Sequence, residues 1–98
     1  MLTGKQKRYL RSLANKLEPI FQVGKGGSNN NLFNGITEAL EARELIKVSV
    51  LKNCLEEKDE VAQEISENTG AEIVQIIGST IVLYKESKDK KRIDLGQL

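Results

Sequence analysis

Gly24-Lys25-Gly26-Gly27 is the stretch of this sequence whose residue types and spacing best suit a defined chemistry. Three glycines in four positions remove side-chain bulk, so an outside backbone can come close to the main chain. A run with helical spacing begins a few residues later, and the free N–H groups and dipole of a helix N-terminus favour an anion. Lys25 projects a cation from the same loop. The chemistry these features offer together is the cradling of a phosphate. Alone, a glycine-rich turn between a strand and a helix is more often plain punctuation.

The residues before the loop change that weighting. Lys5, Lys7, Arg8, Arg11, Lys16 and Lys25 stand against Glu18 alone in residues 1–27, a net +5. Leu10, Leu13, Ala14 and Leu17 repeat at i, i+3, i+4 and i+7, which predicts one apolar helix face. Lys5, Arg8, Ser12 and Asn15 fall opposite it, with Arg11 at its flank and Lys7 nearer the apolar boundary. A solvated helix needs a polar outer face, but not one of a single sign, and no acid precedes Glu18. A one-sign helix followed by a Gly-Lys loop reads as one continuous site for an anionic polymer. Its candidate residues are Lys5, Lys7, Arg8, Arg11, Gly24, Lys25, Gly26 and Gly27. The loop is comparable in logic to the Gly-x-x-Gly clamp of KH domains. Lys47 and Lys85 read equally well as extensions of the site or as lone surface lysines.

The remaining charge is segregated too. Residues 38–72 carry ten acids against Arg43, Lys47, Lys52 and Lys58, a net −6, while residues 73–98 are net +2. The overall +1 conceals this pattern. The carboxylates between Glu56 and Glu67 are most simply a solvated helix face. No histidine is present, so there is no imidazole base and no His-based metal site. The single Cys54 has no internal disulfide partner and no histidine to activate it. A P-loop string is missing, as is any set of nucleophile, base and oxyanion donors. The expectation is a binding protein without catalytic residues, cofactor or metal, and not an enzyme. Nothing resembles a signal peptide or a spanning helix, so a cytoplasmic protein with no membrane role is expected. Aromatic residues are few, with Tyr9, Phe21, Phe33 and Tyr84 the whole set. A structured nucleic acid read through its backbone therefore fits better than a single strand captured by stacking.

Positioning these residues falls to seven elements. Thr3 and Gln6 fit a capping box opening a first helix that runs to about Leu17, before Pro19. Ile20 to Val23 reads as a short strand ending at the glycine loop. Leu32, Phe33, Ile36, Ala39, Leu40 and Arg43 give a second helix, with N-cap candidates from Ser28 to Asn31. Ile46, Val48 and Val50 alternate with Lys47 and Ser49, the pattern of a half-buried strand over Leu45–Leu51. Val61, Ala62 and Ile65 mark a third helix closed by Gly70 in a C-cap position. Ile73–Ile77 and Thr80–Tyr84 are strands joined by Gly78-Ser79, a two-residue hairpin signal. The order α-β-α-β-α-β-β argues one α/β layered domain over residues 1–85 with a mixed sheet. The first two strands should pair parallel if adjacent, and the last two antiparallel. Residues 86–98 read as a charged, mobile tail.

Four ordered segments add a resemblance. They are Leu2-Thr3-Gly4-Lys5-Gln6-Lys7-Arg8, Val23-Gly24-Lys25-Gly26-Gly27, the run from Ala39 to Val48, and the run from Val74 to Lys85. In these the chain resembles the CRM (chloroplast RNA splicing and ribosome maturation), or YhbY-like, family across about residues 2–85. The resemblance implies a four-stranded mixed sheet like that of the C-terminal domain of translation initiation factor three. It implies RNA as the partner, in particular precursor RNA of the large ribosomal subunit, and group II introns in plant relatives. It places the family's glycine loop on Gly24 to Gly27 and its basic first helix on Lys5, Lys7, Arg8 and Arg11. Glu18 puts an acid close to that site. The leading expectation is a ribosome-assembly factor that binds precursor RNA. The rival is a protein-interaction adaptor whose acidic surface, residues 56–67, docks a ribosomal protein or an assembly GTPase.

Overall fold

Thr3 starts the first helix as its sequence predicts: its hydroxyl accepts from the Gln6 N–H, and the Gln6 side chain accepts from the Thr3 N–H. The computed structural model describes residues 2–96 and contains α1 (Gly4–Ala14), β1 (Phe21–Val23), α2 (Asn30–Arg43), β2 (Leu45–Val50), α3 (Lys58–Thr69), β3 (Glu72–Ile77) and β4 (Thr80–Tyr84). The first helix stops at Ala14, short of Leu17. The Leu17 N–H donates to the Ala14 carbonyl at 2.9 Å, an i to i+3 bond that closes the helix and turns the chain toward β1. Gly70 takes the left-handed C-cap position at φ +77°. Gly78 (φ +56°) and Ser79 form a two-residue turn that sets Ile77 opposite Thr80.

The sheet is mixed and four-stranded, in the order β1-β2-β4-β3. β1 and β2 run parallel with Phe21 opposite Val48 and Val23 opposite Val50, while β4 is antiparallel to both of its neighbours. Side chains alternate between sheet faces, so two cores form. Ile46, Val48, Val50, Ile81 and Leu83 pack on one face with Ile36 and Leu40 of α2 and Val61, Ala62 and Ile65 of α3. On the other face Leu45, Val74, Val82 and Tyr84 pack with Leu10 and Ala14 of α1. Those four sheet residues lie toward one end of the strands, where Leu45, Tyr84 and Glu72 pair across β2, β4 and β3. α1 therefore covers that end only.

Residues 86–96 contain no helix or strand, yet two carboxylates capture much of their backbone. Glu44 is fully buried and caps α2 at φ +66°, a conformation that costs an ordinary side chain roughly 1–2 kcal/mol. Its carboxylate accepts from the N–H groups of Ser87, Arg92 and Ile93. Glu41 accepts from the N–H groups of Lys88 and Asp89 and from the Ser87 hydroxyl. Ile93 and Leu95 then join the core beneath α1. Gln97 and Leu98, the last residues of the expected tail, lie outside the described residues. Among the described residues no helix is long and apolar enough to cross a membrane.

The clamp sets a pH dependence. The Lys88 N–H, the Ser87 hydroxyl and the Asp89 N–H hold the Glu41 carboxyl down from 4.5 to about 2. Burial pushes Glu44 up, but its three backbone donors outweigh that and leave it below the ordinary value. Both carboxyls are depressed, so their stabilisation is complete above the unfolded pKa and is lost as pH falls through the folded one. Amide resonances of Ser87, Lys88 and Asp89 are expected to move to random-coil positions as pH drops from about 4.5 toward 2. Unchanged resonances over that range would contradict the clamp.

Candidate nucleic-acid interface

The glycine loop leaves the end of β1 as a tight turn, closed by the Gly27 N–H donating to the Gly24 carbonyl at 3.0 Å. Lys25 and Gly26 are its two central residues and both are exposed. Among the described residues their N–H groups have no hydrogen-bond partner. Gly27 has φ +65°, a value glycine adopts without the steric cost a Cβ would bring. Beyond it the loop is tied inward: the Ser28 N–H donates to Glu56 Oε1 at 2.9 Å, and Ser28 Oγ lies 3.1 Å from both Glu56 Oε1 and Glu64 Oε1. The two carboxyls bond to each other, which holds Glu64 above the ordinary carboxylate value and Glu56 below it. Asn29 caps α2 by accepting from the Leu32 N–H at 2.9 Å. The loop's outward donors are thus Lys25 and Gly26, followed by the first helical N–H groups of α2.

The four positions of the loop differ in what the protein itself demands of them. A Cβ on Gly27 would come within 2.3 Å of Glu56 Oε1 in addition to the φ strain. At Gly24 the nearest atoms, Asn53 Oδ1 and Leu51 Cδ1, would lie 3.7 Å away, an ordinary contact. Around Gly26 nothing lies within 4 Å. Neither Gly24 nor Gly26 has a positive φ. Packing inside the molecule explains the glycine at position 27 and leaves those at 24 and 26 to be explained from outside.

On α1, Lys5, Arg8 and Arg11 are exposed and Lys7 is half-buried. By helical spacing Lys7 and Arg11 lie on the flank opposite Gln6 and Leu13. On the same face Lys47 of β2 and Gln75 of β3 flank Val82 at the edge of the part that α1 covers, and beyond them lie Gln22 of β1, Ser49 of β2 and Thr80 of β4. Each alternates with, or pairs beside, residues buried on the far side, and none is acidic. This polar floor spans the sheet between the helix end and the strand end from which the glycine loop springs. The sequence showed Lys47 and Ser49 as an outward pair. Gln22, Gln75 and Thr80 join them only through the strand order, which no local signal supplied.

Two other lysines are spoken for. Lys85 Nζ donates to the Thr69 carbonyl at 2.8 Å, capping the C-terminal end of α3, and Lys58 Nζ donates to the Gly78 carbonyl at 2.6 Å. Glu18 is exposed in the connection between α1 and β1. Asp59, Glu60 and Glu67 lie on α3, in the layer behind the sheet. Among the described residues no group of three or more His, Cys, Asp or Glu is placed to hold a metal ion.

Fold and surface together define a small α/β domain in which a basic helix and a glycine loop frame an open, acid-free half of a sheet. The chain belongs to the CRS1 / YhbY (CRM) domain family, whose model matches residues 2–85. It is 64% identical over 95 residues to the Bacillus subtilis protein named "Probable RNA-binding protein YqeI", covering 97% of this chain and 99% of that one. It is 38% identical over 90 residues to a Haemophilus influenzae protein named "RNA-binding protein", covering 92% and 91%. The solution structure of the Staphylococcus aureus hypothetical protein SAV1595 superposes with a TM-score of 0.80 at 60% identity, covering 97% of this chain and 99% of that one.

The loop predicts a split among its glycines. Gly27→Ala should lower unfolding free energy by about 1 kcal/mol or more through the left-handed strain. Gly26→Ala should stay within about 0.5 kcal/mol of wild type. Urea denaturation of the two variants checks this, and equal losses would contradict it.

Proposed function

We propose that this protein binds RNA through its phosphate backbone and acts in assembly of the large ribosomal subunit, on precursor ribosomal RNA in the cytoplasm. The observation that carries the backbone reading is the pair of glycines at 24 and 26, which the fold itself does not require, beside the free N–H groups of Lys25 and Gly26. A phosphate held there would meet two backbone donors, the Lys25 ammonium and the positive end of α2. Lys5, Lys7, Arg8 and Arg11 would contact neighbouring phosphates along α1, with Lys47 between the two. The choice of RNA is supported by the relatives named as RNA-binding proteins. The ribosomal role is supported by the CRM resemblance in the four segments quoted above. No chemistry on the RNA is invoked.

One observation favours a second activity on the opposite layer. Asp59, Glu60 and Glu67 are exposed on α3, away from the proposed RNA face. A basic ribosomal protein or an assembly GTPase could dock there without displacing RNA.

Neutralising about four phosphates at the loop and α1 contributes a slope near −3 to log affinity against log salt. Titration of a labelled hairpin RNA at increasing salt measures it, and a salt-independent affinity would rule the mechanism out. Gly26→Val is expected to weaken binding about tenfold or more at unchanged stability, since it fills space only a ligand needs. In sucrose gradients of cell lysate, the wild type should travel with large-subunit precursors and Lys25→Glu/Arg8→Glu should not. If the double variant still co-sediments, protein contacts hold the complex and the adaptor reading leads.

A further inference from the structure

The C-terminal segment lies outside the family match, which ends at residue 85, yet it is built into the domain. Glu44 and Glu41 accept from the backbone N–H groups of Ser87, Lys88, Asp89, Arg92 and Ile93, and Ser87 Oγ accepts from Lys90 N–H at 2.8 Å. The carboxylates are thereby held chiefly by main chain, and Lys88 and Lys91 add a favourable charge nearby without forming an ion pair with them among the described residues. Lys88, Lys90, Lys91 and Arg92 all remain exposed. Lys91 pairs with Glu86 at 3.6 Å, both ends well hydrated, a contact worth little. Among the described residues Lys88, Lys90 and Arg92 form no ion pair. Asp94 turns its carboxylate back to the Gly96 N–H.

The segment also has a fixed place. Ile93 and Leu95 are packed in the core under α1, and the Gln6 side chain donates to the Leu95 carbonyl at 3.4 Å. Arg92 and Ile93 line a shallow groove with Leu13, Leu17, Arg43 and Leu45. Residues 92–95 therefore run beside α1 on its Gln6–Leu13 flank, where Arg43 comes to the same groove from the end of α2, while Lys88 and Asp89 are held to Glu41 of α2.

We propose that residues 88–92 are a preformed basic arm, adding a second row of phosphate contacts that runs from the side of α2 to the far flank of α1. This rests on the RNA-backbone reading above and extends it to a site the family match does not include. RNA crossing the sheet floor and α1 would meet Arg92 next, and then Lys90 and Lys88 toward α2. A flexible lysine tail would lose entropy on binding, whereas here the backbone is ordered beforehand, so more of the Coulomb attraction survives as affinity. It also accounts for a strained, buried glutamate at position 44, where the chain direction alone would favour glycine.

The test uses the full chain and a fluorescein-labelled hairpin RNA. Lys88→Gln/Lys90→Gln/Arg92→Gln leaves the clamp intact and should weaken binding about tenfold at roughly 0.1 M salt, with the salt slope shallower by about 2 to 3. Glu41→Gln/Glu44→Gln frees the arm while making the protein more positive by two charges. A placed arm then predicts weaker binding, whereas attraction by net charge alone predicts tighter binding and would overturn the proposal. Should that variant unfold, the triple variant still decides. Lys25→Glu/Arg8→Glu serves as the control for the underlying reading. If it weakens binding and the triple variant matches wild type in affinity and slope, the arm is wrong and the main interface stands. If wild type does not bind the hairpin, both fall.

Discussion

A sheet must bury both faces or make one of them polar, and here the second face does half of each. α1 has eleven residues, so it is about 16 Å long and, with side chains, about 10 Å wide. That length suffices to cross β3, β4 and β2 side by side, but the width covers only about half of a six-residue strand. The covered half carries Leu45, Val74, Val82 and Tyr84. Lys47 and Gln75 flank Val82 at the boundary, and the uncovered half carries Gln22, Ser49 and Thr80. The open floor is a consequence of this geometry, and the basic helix and the glycine loop stand at its two ends.

Topology then turns a charge pattern along the chain into one across the molecule. α2 and α3 pack on the same face of the sheet, and they hold most of the acids of residues 38–72. α1 precedes β1 and packs on the opposite face, with the unbroken basic run. The loop at Gly24 to Gly27 is the junction between the layers. Glu56 reaches through it to Ser28 and anchors its second half, which leaves Lys25 and Gly26 at the turn's crest. An acid behind the loop is therefore an orienting group, though it also weakens the field in front.

Local signals made much of the fold legible. The Thr3–Gln6 capping box, the alternation of Ile46, Val48 and Val50, Gly70 at the end of α3 and the Gly78-Ser79 turn each specify their own neighbourhood, and each stands in the structure. What was not legible is held by distant pairings. The order β1-β2-β4-β3 brings Gln22, Ser49 and Thr80 together across three strands that follow one another only at long intervals in the chain. Nothing near Glu44 announces a positive φ, since the left-handed position is filled by a side chain whose partners lie 43 to 49 residues away. The charge run after Glu86 reads as solvated for the same reason: its side chains do face water, while its amides meet Glu41 and Glu44. Among the loop glycines, composition could not separate Gly27, which the backbone needs, from Gly24 and Gly26, which it does not.

The interface as a whole is tested most directly by titrating isotopically labelled protein with a hairpin RNA and following every backbone amide by NMR. Perturbations are expected at Lys25 and Gly26, at Gln22, Lys47, Ser49 and Thr80 on the floor, and along Lys5 to Arg11. The exposed side of α3, with Asp59, Glu60 and Glu67, should be silent. Shifts confined to α3, or a silent Gly26 amide at saturating RNA, would contradict the phosphate-cradle account of the loop.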